Sequence, residues 1–197
     1  RRWRKQRLNT DGAFDATFTK ENLLMIALNW GNGTNRDRVM VGYDVEAEQV
    51  EALFDKYLEE RDWQMVQDIW DFIDTFWPEI EKLHADMTGV RPAKVDALPV
   101  QTKYGEFAGG YFPIAYSKKL SHAAFFRAQK EEDLLSTNYF GLHTAAGHTK
   151  LRMQSVGQQF KLELHLTPVL GLHLRRVIHD LAFRRALRDV NRIITDE

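Results

Sequence analysis

The stretch GLHTAAGHTKLR, residues 141–152, puts two imidazoles, two glycines, a lysine and an arginine close together in the chain. Imidazole can ligate a metal or move a proton near neutral pH. His143 and His148 are five residues apart, whereas a helical metal pair needs a spacing of four. A turn would therefore have to bring the two rings together. With His179 and Asp180 they make a conceivable set for a metal-assisted, nuclease-like hydrolase. A second reading fits the spacing better. Gly141 and Gly147 permit a tight turn, and from Thr149 the pattern alternates with period two. Lys150 and Arg152 then fall on one polar face, where two cations can hold phosphate.

Other groups could also do chemistry. Asp68, Asp71 and Asp74 recur at steps of three and share a helical face. Three carboxylates can bind a divalent cation, but an acidic solvated face, or one that docks against arginines, accounts for them more simply. His84 falls on an apolar stripe, as a core or interface histidine would. GEFAGG at 105–110 lacks the lysine and hydroxyl residue of a phosphate loop. Arg175, Arg176, Arg184, Arg185, Arg188 and Arg192 surround the last helical segment rather than lining one side of it. That arrangement suits phosphate contact or pairing with carboxylates, not groove reading. No catalytic residue, metal ligand or cofactor is assigned on these grounds. Non-specific nucleic-acid contact is assigned to Lys150, Arg152 and these six arginines.

Charge follows a gradient along the chain although the net charge is only −1. Residues 44–86 carry fourteen acidic and three basic side chains, and residues 147–192 carry nine basic and three acidic. Such halves can attract each other within the fold or present a cationic face to nucleic acid. Cysteine is absent, which excludes disulfides and Cys-ligated zinc and suits a reducing compartment. No apolar run reaches the ~18–20 residues of a membrane-spanning helix.

These groups must be positioned by helices. Thr19 can cap a helix carrying Leu23, Ile26, Ala27 and Trp30, with Gly31 or Gly33 as a left-handed stop. Residues 34–42 make at most one short helix, ended by Gly42. Asp44 can cap the next, whose stripe is Val50, Leu53, Phe54, Tyr57 and Leu58. The strongest periodicity runs from Trp63 through Val66, Trp70, Ile73, Trp77, Ile80 and His84 to Met87. It predicts a helix of roughly 40 Å as the central post, kinked or split near Asp74 because Pro78 lies within it. Thr88–Gly89 closes it.

Residues 90–120 read as an irregular excursion whose Phe107, Tyr111, Phe112, Ile114 and Tyr116 need burial, and Gly109–Gly110 can turn a hairpin there. Ser121 caps a helix to about Ser136. Alternation at 151–154 and 161–166 predicts a β-hairpin. Thr167–Pro168 opens the last helix. Its early stripe is Leu170, Leu174, Val177, Ile178 and Leu181, and its late stripe is Phe183, Leu187, Val190 and Ile194. Two stripes at different angles predict one packing partner early and another late.

The expected architecture is mainly α, about six helices around a long Trp-rich central helix with one small β-hairpin. Residues 1–18 form a basic N-terminal extension and 19–197 a single helical domain, cut from a larger chain.

With ALNWGN, VQDIWDFIDTFWPEI, GEFAGGYFPIAY, GHTKLR and VIHDLAFRRALRDVNRII in this order, the chain resembles a region of very large phage and prophage proteins, the polyvalent proteins. The likeness spans roughly residues 20–195, and its motifs carry no catalytic residue. It implies a non-enzymatic structural or interaction module flanked by other domains of a polyprotein. Such a module would be DNA-associated and delivered with the virion, so its place would be the virion or the host bacterial cytoplasm. Its partners would be the other domains of the parent chain and non-specific nucleic acid.

Overall fold

The computed structural model describes residues 5–14, 17–117 and 161–195. Helix α1 spans Lys20–Trp30 and is capped as its sequence predicts. The Thr19 hydroxyl accepts from the Asn22 amide, and the Asn22 side chain accepts from the Thr19 amide. The helix is apolar nearly all round, so no face suits water, and nine of its eleven residues are buried. Helices α2 (Gly33–Tyr43), α3 (Ala47–Tyr57) and α4 (Glu60–Asp74) all pack against it. The hub of the fold is therefore α1, and the Trp-rich helix lies beside it.

The predicted long helix is two helices, α4 and α5 (Trp77–Thr88), parted at Thr75–Phe76. Pro78 has no amide to donate back to Asp74, and it sits where a helix start tolerates it. Gly89, at φ 75°, closes α5 and donates to Ala85 O. Two boundary expectations are corrected. Gly42 lies inside α2, which instead ends at Asp44 in the left-handed conformation. Asp44 thus terminates α2 rather than capping α3, and Glu46 takes the cap position, its amide donating to the Gln49 side chain at 2.9 Å.

A small antiparallel hairpin joins β1 (Val100–Thr102) to β2 (Gly105–Phe107), with Val100 opposite Phe107. Its turn is at Lys103–Tyr104, not at Gly109–Gly110. Most of the hairpin expected at 151–166, and the helix expected at 121–136, lie outside the described residues. The described half of the former does alternate, with Leu162 and Leu164 buried and His165 exposed. Leu162 forms a bridge with Tyr116, while Ser117 N donates to Lys161 O and Glu163 N to Ala115 O. Helix α6 (Leu166–Thr195) follows, about 45 Å long. The mainly α class with one small hairpin stands.

One large core gathers α1, α3, α4, Tyr111, Phe112, Leu162, Leu164 and Val169. Leu8, Phe14 and Phe18 belong to it too, with the two phenyl rings stacked at 4.4 Å. Residue 18 therefore marks no boundary in the packing, and the described part of the basic N-terminal stretch is built into the fold. A smaller cluster holds α5 to α6 through Ile80, Val177, Phe76, Trp77 and Leu181.

Three of the quoted motifs, ALNWGN, VQDIWDFIDTFWPEI and GEFAGGYFPIAY, meet in one place. Gly31 O accepts from both Leu98 N at 2.8 Å and Gly110 N at 2.9 Å. Trp70 Nε1 donates to Leu28 O at 2.9 Å. A Cβ on Gly31 would stand 2.4 Å from the Trp70 ring, and one on Gly110 2.6 Å from Trp70 Cβ. Gly31 has φ −72°, so it is not the left-handed stop expected of it. It is glycine for lack of space. Asn35, fully buried, ties the same region down by donating to Asn29 Oδ1 and to Phe112 O.

Candidate interaction surface

Lys150, Arg152, His143 and His148 lie outside the described residues, as does the side chain of Arg192 on α6. The remaining candidate arginines are not alike. Arg184 pairs with Asp180 at 3.3 Å, one turn back on its own helix. Arg185 reaches Asp86 on α5 at 2.5 Å. Arg188 pairs with its neighbour Asp189 at 2.8 Å. Arg175 and Arg176 are exposed and have no described carboxylate within ion-pairing distance.

Among the described side chains, the acidic triplet of α4 does not meet the C-terminal arginines. Asp68 accepts from Gln64 and Asp71 from Gln67, each an i,i+4 bond along α4. Asp74 pairs with Lys94. All three are exposed, and no group of three metal-ligating side chains occurs among the described residues. The described counterparts of Arg184, Arg185 and Arg188 are thus α6 itself and Asp86, not this triplet.

His179 and Asp180 point apart. His179 is exposed and lies against the Phe183 ring at 5.0 Å, whereas Asp180 is 6% exposed and faces the fold. They do not form one site. His84 is half-buried, with Nδ1 3.0 Å from Val90 O, where it ties down the chain leaving α5. His173, not singled out by its sequence context, is buried beside the Tyr111 ring at 5.7 Å.

Titration is perturbed elsewhere. Burial, and to a smaller extent Glu163, raises the Tyr43 phenol above its ordinary value, and its hydroxyl donates to Leu162 O at 2.6 Å. At the surface, the Asp11–Lys56 pair at 2.8 Å lowers the carboxyl and raises the amine through their mutual hydrogen bond. A hollow of about 190 Å³ lies between α3 and β1, lined by Glu51, Asp55, Trp63 and Lys103 among others. It is smaller than the ~300–1,000 Å³ of small-molecule sites. Its polar groups are engaged: Glu51 accepts from Trp30 Nε1 and Arg36, and Lys103 donates to Asp55 O.

What distinguishes the molecule is the outward side of α6. Val169, His173, Val177 and Asp180 face inward and are buried. On the other side Leu172 is 45% exposed, Phe183 53%, Val190 52%, Ile193 71% and Ile194 68%. Of the late stripe read from the sequence, Phe183, Val190 and Ile194 are exposed and Leu187 is half-buried, and no described element covers the exposed three. Leu172 and Ile193 join that side, and Ile178, 56% exposed, is corrected from the inward stripe that its sequence spacing suggests. At 100° per residue Ile178 stands a full step from Val177, which the inward face claims. The signal that finds the outer row is the four–three spacing 172, 176, 179, 183, 186, 190, 193. No described helix is long and apolar enough to cross a membrane.

No family model, curated protein or solved structure matches the chain.

Proposed function

We propose that this chain is a non-enzymatic interaction module of a large phage-derived protein, and that α6 is the arm by which it docks a helix of a neighbouring domain or protein. The observation that carries the reading is the set of large apolar side chains on α6, each 45–71% exposed, on a helix that buries Val169, His173, Val177 and Asp180 in its first half only. Apolar side chains scattered singly on a surface need no explanation, but a group such as Phe183, Val190, Ile193 and Ile194 along one stretch of helix supports an interaction site. The order of the motifs supports the phage-derived setting, in the virion or the host bacterial cytoplasm. Three of the motifs meet in a packed knot around Trp70 and Gly31, a structural use of those residues.

The test is substitution of the exposed row. Phe183→Asp with Ile194→Asp is expected to leave the unfolding midpoint nearly unchanged, within about 0.5 kcal/mol, because neither side chain is packed within the fold. A loss of several kcal/mol would show the row to be part of the core and sink the reading. Calorimetric titration with Mn²⁺ and Zn²⁺ addresses the hydrolase alternative. Stoichiometric binding abolished by His148→Ala would favour that alternative.

A second reading has its own observation. Arg175 and Arg176 stand exposed with no described carboxylate beside them, and two such cations suit duplex phosphates. On this reading the module sits beside DNA and touches it without sequence preference.

A further inference from the structure

We infer that the partner of α6 is an amphipathic helix whose apolar stripe is bordered by carboxylates at one end. This rests on the docking reading above and adds the partner's chemistry. The row Leu172, Arg176, His179, Phe183, Val190 and Ile193, with Ala186 at the remaining step, follows the four–three alternation of a helix-packing seam. All the members of this row are exposed. The seam from Leu172 to Ile194 is about 33 Å long, which matches a partner helix of about 22 residues.

Charge along the seam is one-sided. Its first half carries Arg176 and His179 in line and Arg175 at the border. Its second half is apolar: Phe183, Ala186, Val190, Ile193 and Ile194. No described carboxylate answers those two arginines. Asp180 faces inward beside Arg184, and Asp189 is held by Arg188 at 2.8 Å. A partner that complements the seam therefore carries anionic groups near its first half and apolar side chains over the second. A second copy of the same face fits less well. Laid antiparallel with Phe183 at the centre, it brings Arg176 over Val190 and leaves the guanidinium without a carboxylate of its own.

The test uses the whole 197-residue chain and two labelled 22-residue peptides with leucine at every seam position. One peptide carries glutamate at the border positions and the other lysine. In fluorescence anisotropy the glutamate peptide is expected to bind roughly tenfold tighter than the lysine peptide. Arg175→Glu with Arg176→Glu should invert that preference, and Phe183→Asp should abolish binding of both.

Equal binding of the two peptides would overturn the carboxylate border while leaving apolar docking in place. Binding of neither by a monomeric chain would overturn both. Self-association is read separately. Because the chain has no cysteine, a Phe183→Cys variant that forms disulfide dimers from a chain already dimeric at elution would give the face to a second copy and overturn the proposal. Saturable binding of duplex DNA or of anionic vesicles that depends on Arg175 and Arg176, with no peptide binding, would overturn it as well.

Discussion

Gly31 and Gly110 show how one missing methyl group decides local packing. Both stand where a Cβ would run into Trp70, at 2.4 and 2.6 Å. Gly109 adds a φ of 77° and a would-be Cβ 2.1 Å from Leu98 O. Gly31→Ala or Gly110→Ala should therefore cost about 1–3 kcal/mol as overpacking. Gly33→Ala, with nothing within 4 Å of its Cβ and a helical backbone, should be neutral or mildly stabilising. Urea unfolding of the three variants checks this, and equal midpoints would refute the close-packing account. Tyr43 makes a second prediction. Its phenol titrates above its ordinary value of 10.0 in the folded chain, so its contribution is complete below pH 10 and fades as pH rises beyond it. Tyr43→Phe should lower stability at neutral pH by about 1 kcal/mol through loss of the bond to Leu162 O. It should also make the decline above pH 10 shallower than in the wild type. A parallel decline would mean that Tyr43 does not couple to folding.

At the scale of elements, Asp62 joins two helix starts. Its carboxylate accepts from the Glu59 amide at 2.8 Å, capping α4, and pairs with Lys20 in the first turn of α1 at 2.6 Å. Both side chains are at most 7% exposed. Removing one member of a buried pair leaves the other charged and desolvated, which costs about 3–5 kcal/mol. Asp62→Ala should fall in that range, and Lys20→Met with Asp62→Leu should cost clearly less than the single change. Equal losses in guanidinium unfolding would show that the pair is not coupled. The capping half of this arrangement is legible locally, since Glu59 and Asp62 stand at the right spacing before a helical run. The link to Lys20 is not, because 42 residues separate the partners. The break between α4 and α5 is likewise legible, because proline acts within one turn of its own helix.

For the molecule as a whole, the uneven charge of the sequence resolves into short-range pairing. Arg184 and Arg188 are answered within α6 and Arg185 by Asp86, which leaves Arg175 and Arg176 as the described arginines of the set open to a partner. On the DNA-binding reading, Arg175→Ala with Arg176→Ala should reduce the slope of log affinity against log salt by up to about 1.8, near 0.9 for each phosphate no longer neutralised. Lys150→Ala with Arg152→Ala should lower affinity and flatten the slope in the same way. Arg184→Ala should leave the slope unchanged and lower stability instead, because its partner Asp180 is buried. An unaltered slope in both double variants would end the DNA-binding reading.

Some of this protein was settled by the order of its residues alone. The Thr19 cap, the split near Pro78, the stop at Gly89 and the alternation of Leu162 and Leu164 before α6 all arise from groups within a few residues of one another. Capping, proline sterics and helical periodicity act at that range. Other features needed the tertiary structure. α1 became the hub only when three helices closed on a largely apolar segment that local patterning marks merely as a short helix. The hairpin formed at 100–107 because Phe107 stacks on Trp63 at 5.6 Å and Val100 joins the core. Glycines that read as turn formers proved to be sites of close backbone approach. The late stripe of α6 was visible in the sequence, but its exposure was not. Whether an apolar face meets the core depends on where the rest of the chain runs, and no local spacing carries that information.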